Sequence, residues 1–446
     1  MRFKIGEKDI LISILRENFR LGNIKSLNKI SINSNITKKD DIFIAIKGQN
    51  TDGHLFINDA INNGAKIIIS SKKVSVPQNI SLIITKSTKS FIINLAKLYR
   101  QKFEIDMIAI TGTNGKTTTK ELLFEIMNNK FNSFKNKGNY NSTIGLPLSL
   151  FGITKNIEYG IIEIGASKVG EIDILSKLVN PVIGLITNIS TAHLDTFKSF
   201  DNIIKTKLEL FNNIKKNGHA VKNFDDINIR NSKSLLTDVS YGYNCNADYK
   251  AKCELENNTY KITINDNQFI IKNNSYSVVA NFIAVYVIAK LNGISNKIIQ
   301  KSINSFIMPQ SRGEMIKVNN ATLIDDSYNA NFQSMKLGIE WISNLPGYNK
   351  KIAVLGEMKE LGDLAIGQHK SIGGIISSSK INYILCFGEQ TKHIINNISN
   401  EKIFKFYFKS KYDLISYLKS IISKGDLIYL KGSRSNELET IIKDLK

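Results

Sequence analysis

Three observations in this sequence predict an α/β chain of three domains built mainly on parallel sheets. The chain has 446 residues, which is about three domains at a usual ~150 residues each. Short apolar runs alternate with helical patterns throughout, the rhythm of repeated β–α units. A glycine-rich stretch, Thr111-Gly112-Thr113-Asn114-Gly115-Lys116-Thr117-Thr118, stands between an apolar run and a helix-forming run, the context that a phosphate-binding loop requires.

The elements follow in order along three zones. Residues 1–86 form a small leading unit, with strand-like runs Ile42–Ile46 and Lys66–Ile69 on either side of the helix-like Ile57–Asn63. Residues 87–308 form the middle zone, whose strands read as Ile105–Ile110, Tyr159–Ile164 and Val182–Ile189. Residues 309–446 form the last zone, with strands Thr322–Ile324, Lys351–Leu355, Ile381–Phe387 and Asp426–Leu430. No internal repeat is evident.

Bulk properties remove several classes of function. Hydrophobic residues make up 42% of the chain, enough for ordinary packed cores. The first ten residues carry charges throughout and resemble no signal peptide. No apolar run reaches the ~18 residues that span a bilayer. We therefore expect a cytoplasmic protein with no membrane insertion. Cys245, Cys253 and Cys386 show no CxxC spacing, which fits a reduced compartment rather than a metal or disulfide role. The net charge of +21 raises the question of nucleic acid. The lysines are scattered, however, rather than massed in one arm or stripe. A composition rich in Ile, Asn and Lys explains them without a nucleic-acid partner, and the mild positive field would still attract polyanionic substrates.

The glycine loop carries the firmest chemistry. Gly112 and Gly115 let the backbone wrap closely, so that the N–H groups of Thr113, Asn114 and their neighbours point at phosphate oxygens. The N-terminus of the helix that follows, Thr119–Met127, adds partial positive charge. Lys116 would reach the outer phosphates of ATP, and the Thr117 hydroxyl would meet Mg²⁺, with Thr118 next in the turn. Ile110 stands where the strict pattern GxxxxGK[ST] places its first glycine, so the loop is a variant.

Three further positions stay open on residue chemistry alone. Glu163 ends an apolar strand, where an unpaired carboxylate is costly to bury; it is either a strand-end residue or a metal ligand beside the loop. His193 follows another apolar strand, at the end where open α/β sheets bind ligands, and reads as structural or as a ligand. Lys207, in Lys205-Thr206-Lys207-Leu208-Glu209-Leu210-Phe211, reads as a solvated helix lysine.

Taken together these pieces resemble the Mur ligase family of cell-wall peptide synthetases, in order and over nearly the whole chain. The leading unit carries Asp40-Asp41-Ile42-Phe43-Ile44-Ala45-Ile46-Lys47-Gly48 and then Thr51-Asp52-Gly53-His54. The middle zone has the glycine loop, then Gly138-Asn139-Tyr140-Asn141-Ser142 with Ile144-Gly145-Leu146-Pro147, then Glu163-Ile164-Gly165-Ala166. The last zone has Asp325-Asp326-Ser327-Tyr328-Asn329-Ala330-Asn331, Leu355-Gly356-Glu357-Met358-Lys359-Glu360-Leu361-Gly362 and Lys431-Gly432-Ser433-Arg434. Within the family these last motifs resemble the branch that adds D-alanyl-D-alanine. The Asp-Asn-Pro-Arg-like motif of the diamino-acid branch is not present.

The resemblance implies a uridine-nucleotide-binding leading domain, a central P-loop ATPase domain and a Rossmann-like last domain. It implies an ATP-dependent ligase that joins D-alanyl-D-alanine to UDP-N-acetylmuramoyl-tripeptide through an acyl phosphate, in peptidoglycan precursor synthesis, acting as a monomer. It gives Thr117, Glu163, His193 and a carbamylated Lys207 as ligands of two Mg²⁺ ions, with Lys116, Lys207 and His193 catalytic. It places Asn281, Arg312 and Asp326 on the nucleotide, and Ser34, Asp52, Gly53, His54, Asn139, Asn141, Ser142, Tyr328 and Asn329 on the other substrates. The sequence departs from the family at three places. Ser277-Val278 stands for His-Asn before Asn281, Asn33-Ser34-Asn35 for Asp-Ser-Arg, and Phe332 for a proline. Rival readings are the sister ligase that adds a diamino acid, a folylpolyglutamate-synthetase-like ligase, and a P-loop NTPase driven by nucleic acid.

Overall fold

The computed structural model describes residues 1–19, 21, 24, 26–48, 50–192, 194–233, 237–243, 245–256, 259–272 and 276–445. Its strands form three sheets that follow one another along the chain. The first contains β1 (Arg2–Lys4), β2 (Lys29–Ser31), β3 (Ile42–Ile44), β4 (Ile67–Ser70) and β5 (Ser81–Ile84), in the order 1-2-3-4-5. All its pairings are parallel except β1 with β2. β3 and β4 are buried runs of Ile and Phe, the pattern of strands covered on both faces.

The second sheet holds β6 (Asp106–Thr111), β7 (Ser133–Lys135), β8 (Tyr159–Glu163), β9 (Ile183–Ile186), β10 (His219–Asn223), β11 (Thr237–Gly242), β12 (Tyr249–Glu256), β13 (Thr259–Ile264) and β14 (Asn267–Lys272). Its order is 14-13-12-11-10-9-6-8-7. From β7 to β12 neighbouring strands run parallel; β12, β13 and β14 form an antiparallel meander. Sequence patterning predicted parallel strands here and placed none beyond Ile189. The meander is the difference: one face of β12 is exposed and charged, so its apolar signal is halved.

The third sheet contains β15 (Glu314–Val318), β16 (Ala321–Asp325), β17 (Lys351–Gly356), β18 (Tyr383–Phe387), β19 (Phe404–Phe408) and β20 (Leu427–Lys431), in the order 15-16-20-17-18-19. All of it is parallel except the β15–β16 hairpin.

Two features position the site. β6 is an interior strand of the middle sheet, third from its β7 edge, with β8 on one side and β9 on the other. The chain therefore changes direction around β6, and the crevice outside its carboxyl end is where an open α/β sheet takes its ligand. The helix Tyr276–Leu291 is apolar all round and buried along most of its length, as a helix inside a core must be. It packs against the helix Lys116–Asn128 and fixes it on the sheet.

The leading unit shares one apolar core with the middle sheet, from Phe3, Leu11 and Ile44 through Tyr99 and Phe151 to Ile186. Polar contacts follow the same join. The Tyr99 hydroxyl accepts from the Glu7 N–H at 2.8 Å and donates to the Ile153 carbonyl at 2.8 Å. No helix among the described residues is long and apolar enough to cross a membrane.

Candidate active site

The site is built outward from the end of β6. Gly112 has φ +146° and Gly115 φ +82°, backbone that L-residues avoid. Space enforces both glycines: a Cβ at Gly112 would lie 2.0 Å from Thr187 Oγ1, and one at Gly115 would lie 2.5 Å from Asn281 Oδ1. The loop is held open by the end of β9. Thr113 N–H donates to the Asn188 carbonyl at 2.9 Å, and Asn114 N–H to Asn188 Oδ1 at 3.0 Å. Thr187 Oγ1 and Asn188 Nδ2 both donate to the Asn114 carbonyl, at 2.6 and 3.0 Å. The helix Lys116–Asn128 starts at Gly115 with no side-chain cap, which leaves its first N–H groups for an anion. Lys116 Nζ donates to the carbonyls of Gly112 and Thr113, at 2.8 and 2.9 Å. Burial and, secondarily, Arg312 pull the Lys116 amine below its ordinary range, and Glu163 opposes them.

Glu163, at the end of β8, is buried. Its Oε2 accepts from Thr117 Oγ1 at 2.8 Å and its Oε1 from Asn141 Nδ2 at 2.7 Å. Asn136 grips the same residue's backbone, accepting from Glu163 N at 2.9 Å and donating to the Glu163 carbonyl at 3.0 Å. Behind them lies Lys120, fully buried. Its Nζ donates to the Asn136 and Gly138 carbonyls at 2.8 and 3.1 Å, and sits 3.0 Å from Glu121 Oε1 and 3.7 Å from Glu163 Oε2. This lysine was missed in the sequence. The signal was its spacing: it stands four residues after Lys116 and so on the same helix face.

Lys207, on the helix Phe200–Asn212, is buried rather than solvated. Burial, with Lys116 adding to it, pulls its amine down to about 7. Its burial corrects the reading of Lys207 as a solvated helix lysine. From the last domain come Arg312, stacked on the Tyr328 ring at 3.8 Å, and Asp326, whose Oδ2 lies 2.7 Å from Lys431 Nζ and accepts from the Tyr429 hydroxyl at 2.9 Å. Its neighbour Asp325 is used up internally, bonded by Ser311 Oγ at 2.8 Å and by Ser327 Oγ at 2.5 Å.

One cavity of about 410 Å³ is lined by Gly112 to Thr118, Asn139, Asn141, Ser142, Glu163, Lys207, Arg312, Asp326, Tyr328, Asn329 and Lys431. Residues expected to act together, from two domains, therefore meet. Tyr276, Asn331 and Ser334 also line it; like Lys431, they are not among the site residues expected from sequence. Asn281 lies outside the lining and behind Gly115. His193 lies outside the described residues.

Ser34, Asp52, Gly53 and His54 do not line this cavity; they lie in the leading unit, on the short helical turns Ser34–Ile36 and Gly53–Phe56 and the residue that caps the second. Asp52 Oδ1 lies 2.6 Å from His54 Nδ1, and its Oδ2 lies 2.8 Å from Lys72 Nζ. Those two partners, Lys72 first, hold the Asp52 carboxyl well below the usual range. The Ser71 N–H donates to His54 Nε2 at 3.1 Å, which makes Nε2 the acceptor and leaves the ring proton on Nδ1, facing Asp52. Ser34 is buried, with its carbonyl bonded by Asn63 Nδ2 at 2.9 Å.

Comparison with known proteins agrees with this geometry. The Mur ligase middle domain model matches residues 110–290, the Mur ligase, glutamate ligase domain model matches 311–434, and the Mur ligase family, catalytic domain model matches 26–107. This chain belongs to the Mur ligase family. Among similar curated proteins, the UDP-N-acetylmuramoyl-tripeptide–D-alanyl-D-alanine ligase of Bacillus subtilis is 35% identical over 92% of this Mur ligase and 91% of its own length. That of Rickettsia prowazekii is 33% identical over 95% and 96%. Among solved structures, MurF from Acinetobacter baumannii superposes with TM-score 0.89 at 25% identity, covering 99% of each chain. The MurF ligase of Thermotoga maritima in complex with ADP gives 0.84 at 27%, covering 93% and 96%.

Residues fit for a metal are few. Among the described residues no group of three or more His, Cys, Asp or Glu could hold one. The Thr117 hydroxyl and the Glu163 carboxylate are nonetheless hard oxygen donors 2.8 Å apart at the mouth of the phosphate loop. That fits Mg²⁺, which takes one or two protein oxygens and completes its shell from phosphate and water.

Proposed function

We propose that this Mur ligase uses ATP to join the amine of D-alanyl-D-alanine to the carboxylate ending UDP-N-acetylmuramoyl-tripeptide, in cytoplasmic peptidoglycan precursor synthesis. What carries the reading is the single cavity in which the phosphate loop, Glu163 and Lys207 face Arg312, Asp326 and Tyr328 of the last domain. The D-alanyl-D-alanine ligases it resembles match it over more than nine-tenths of its length. Residues 1–86 take the uridine nucleotide, through Ser34, Asp52, Gly53 and His54. Residues 87–308 take ATP and residues 309–446 close over it. One chain supplies every group, so a monomer suffices.

The tripeptide carboxylate attacks the γ-phosphorus, and ADP leaves. The amine then attacks the acyl phosphate, and phosphate leaves. Catalysis is positioning and charge stabilisation, with no covalent enzyme intermediate. Lys116 exchanges its two loop carbonyls for phosphate oxygens, which keeps its charge beside the transferring group. Arg312 and Asp326 orient the nucleotide from the opposite wall, and Asn139, Asn141 and Ser142 orient the peptide substrate beside Glu163, with Tyr328 and Asn329 facing them. Mg²⁺, held by Thr117 and Glu163 and in a second position by His193 and a carbamylated Lys207, would offset charge on the phosphates. A neutral Lys207 amine is the form that takes up CO₂, and its burial supplies that form near neutral pH.

The test is phosphate release from ATP with each substrate omitted in turn. Release that needs both the UDP-linked tripeptide and D-alanyl-D-alanine, one phosphate per peptide bond, is the expected result. Dependence on a diamino acid would move the assignment to the sister branch. Dependence on a folate would move it to the folylpolyglutamate-synthetase-like reading, and stimulation by nucleic acid to a motor.

A further inference from the structure

The phosphate loop and the last domain are joined by a reciprocal pair of amides. Asn331 Nδ2 donates to Asn114 Oδ1 at 2.8 Å, and Asn114 Nδ2 donates to Asn331 Oδ1 at 3.3 Å. Neither partner is free to drift. Asn114 has its N–H and its carbonyl both bonded by the Asn188 side chain. Asn331 caps the helix Phe332–Asn344: its Oδ1 accepts from Ser334 N at 2.9 Å, and its own N–H donates to Ser334 Oγ at 3.1 Å. The segment just before it is tied to the end of β20, since Lys431 Nζ donates to the Asn329 carbonyl at 3.2 Å. Two short, rigidly mounted side chains thus meet through two hydrogen bonds that require their amide planes to align. A paired amide of this kind resists sliding in a way that one long lysine–carboxylate bridge does not.

We infer that Asn114 and Asn331 form a clasp through which the phosphate loop sets the register of the last domain, with Asn331 a positioning residue for Tyr328 and Asn329 and thus for the incoming amine substrate. The inference rests on the ligase reading above. Asn331 stands two residues after Asn329 and three after Tyr328, so a loss of register at Asn331 is read most directly where the amine must meet the acyl phosphate.

The test is a double-mutant cycle with Asn114→Ala, Asn331→Ser and the pair together, on the full chain. Serine at 331 keeps a helix cap but is too short to reach Asn114, so the fold is retained. Thermal melting of each variant checks that. For Asn331→Ser we expect kcat/KM for D-alanyl-D-alanine to fall roughly tenfold, with ADP binding to the resting enzyme changed by less than about threefold. The double variant is expected to be no worse than the poorer single variant, because either change alone opens the clasp. Losses that multiply in the double variant, or an Asn331→Ser enzyme with unaltered kcat/KM, would overturn the clasp. A wild-type enzyme that makes no peptide bond would overturn the ligase reading instead, so the two failures are distinct.

Discussion

Lys207 shows how burial moves the protonation of an ordinary side chain. The free amine has an ordinary pKa of 10.5 and is pulled to about 7 in the folded chain. Between those values the unfolded chain holds one proton more than the folded chain, so stability must rise as pH climbs from about 7 toward 10.5. In CO₂-free buffer the denaturant midpoint should increase over that window, and Lys207→Met should flatten the slope. With ¹³C-bicarbonate, a carbamate signal should appear above about pH 7, fade below it, and be absent in Lys207→Arg. A labelled wild type with no such signal would remove the carbamate from the scheme. Lys116 differs in kind: the proposed mechanism uses it as a charge. Lys116→Ala should abolish phosphate release while leaving the melting temperature within a few degrees; full turnover would remove the loop from the mechanism.

Among the elements, the phosphate loop is the least tolerant. A Cβ at Gly112 meets the Thr187 side chain, and the residue's φ of +146° excludes an L side chain even with that contact relieved. Gly112→Ala should therefore lose more than about 2 kcal/mol of stability together with nucleotide affinity, measured by denaturation and calorimetry. A Gly112→Ala enzyme that melts and binds like the wild type would mean the loop adopts another path. The helix Lys116–Asn128 carries two lysines on one face with opposite duties. Lys116 bonds the loop carbonyls of Gly112 and Thr113 at the cavity, and Lys120, one turn on, is consumed by carbonyls and carboxylates beneath Glu163. Glu121 shows the balance there: burial pushes its carboxyl up, and Lys120 and Lys135 outweigh burial and hold it below its ordinary value.

At the scale of the molecule, the middle and last domains meet at an aromatic seam as well as at the clasp. The Tyr276 ring packs 5.5 Å from Trp341, and its hydroxyl donates to the Ser334 carbonyl at 3.3 Å. Leu194 N–H reaches the Glu360 carbonyl at 3.1 Å in the same interface. Trp341 is the chain's single tryptophan, so its emission reports this seam alone. Adding nucleotide and substrates should shift or quench it if the last domain moves, and Tyr276→Leu should change the starting spectrum. An emission unchanged by every ligand would mean that the seam stays fixed through the cycle. The leading unit should not move independently in the same way, because it shares a core with the middle sheet. A Cβ at Gly6 would fall 2.1 Å from the Ile153 carbonyl oxygen, so Gly6→Ala is expected to lower the melting temperature by wedging that join apart.

Local chemistry by itself determined a good deal. Apolar runs marked β3, β6, β8, β9, β17, β18 and β20 within a few residues, because buried parallel strands are continuous in Ile, Val and Leu. The glycine loop was legible because close backbone approach to phosphate admits few other residues. The order of motifs gave the family. The resemblance named Asp326 and not Asp325; the tertiary structure supplied a physical difference between them, since Asp325 is consumed by Ser311 and Ser327. Only the tertiary structure buried Lys207 and Lys120, because burial depends on what other segments lay over a helix face. The half-exposed meander β12–β14 was illegible for a related reason: a strand with one wet face carries half the apolar signal. The meeting of Asn114 with Asn331, 217 residues apart, has no local signature at all. It follows from two sheets, each determined by its own sequence, docking where both leave polar groups at the carboxyl ends of their strands.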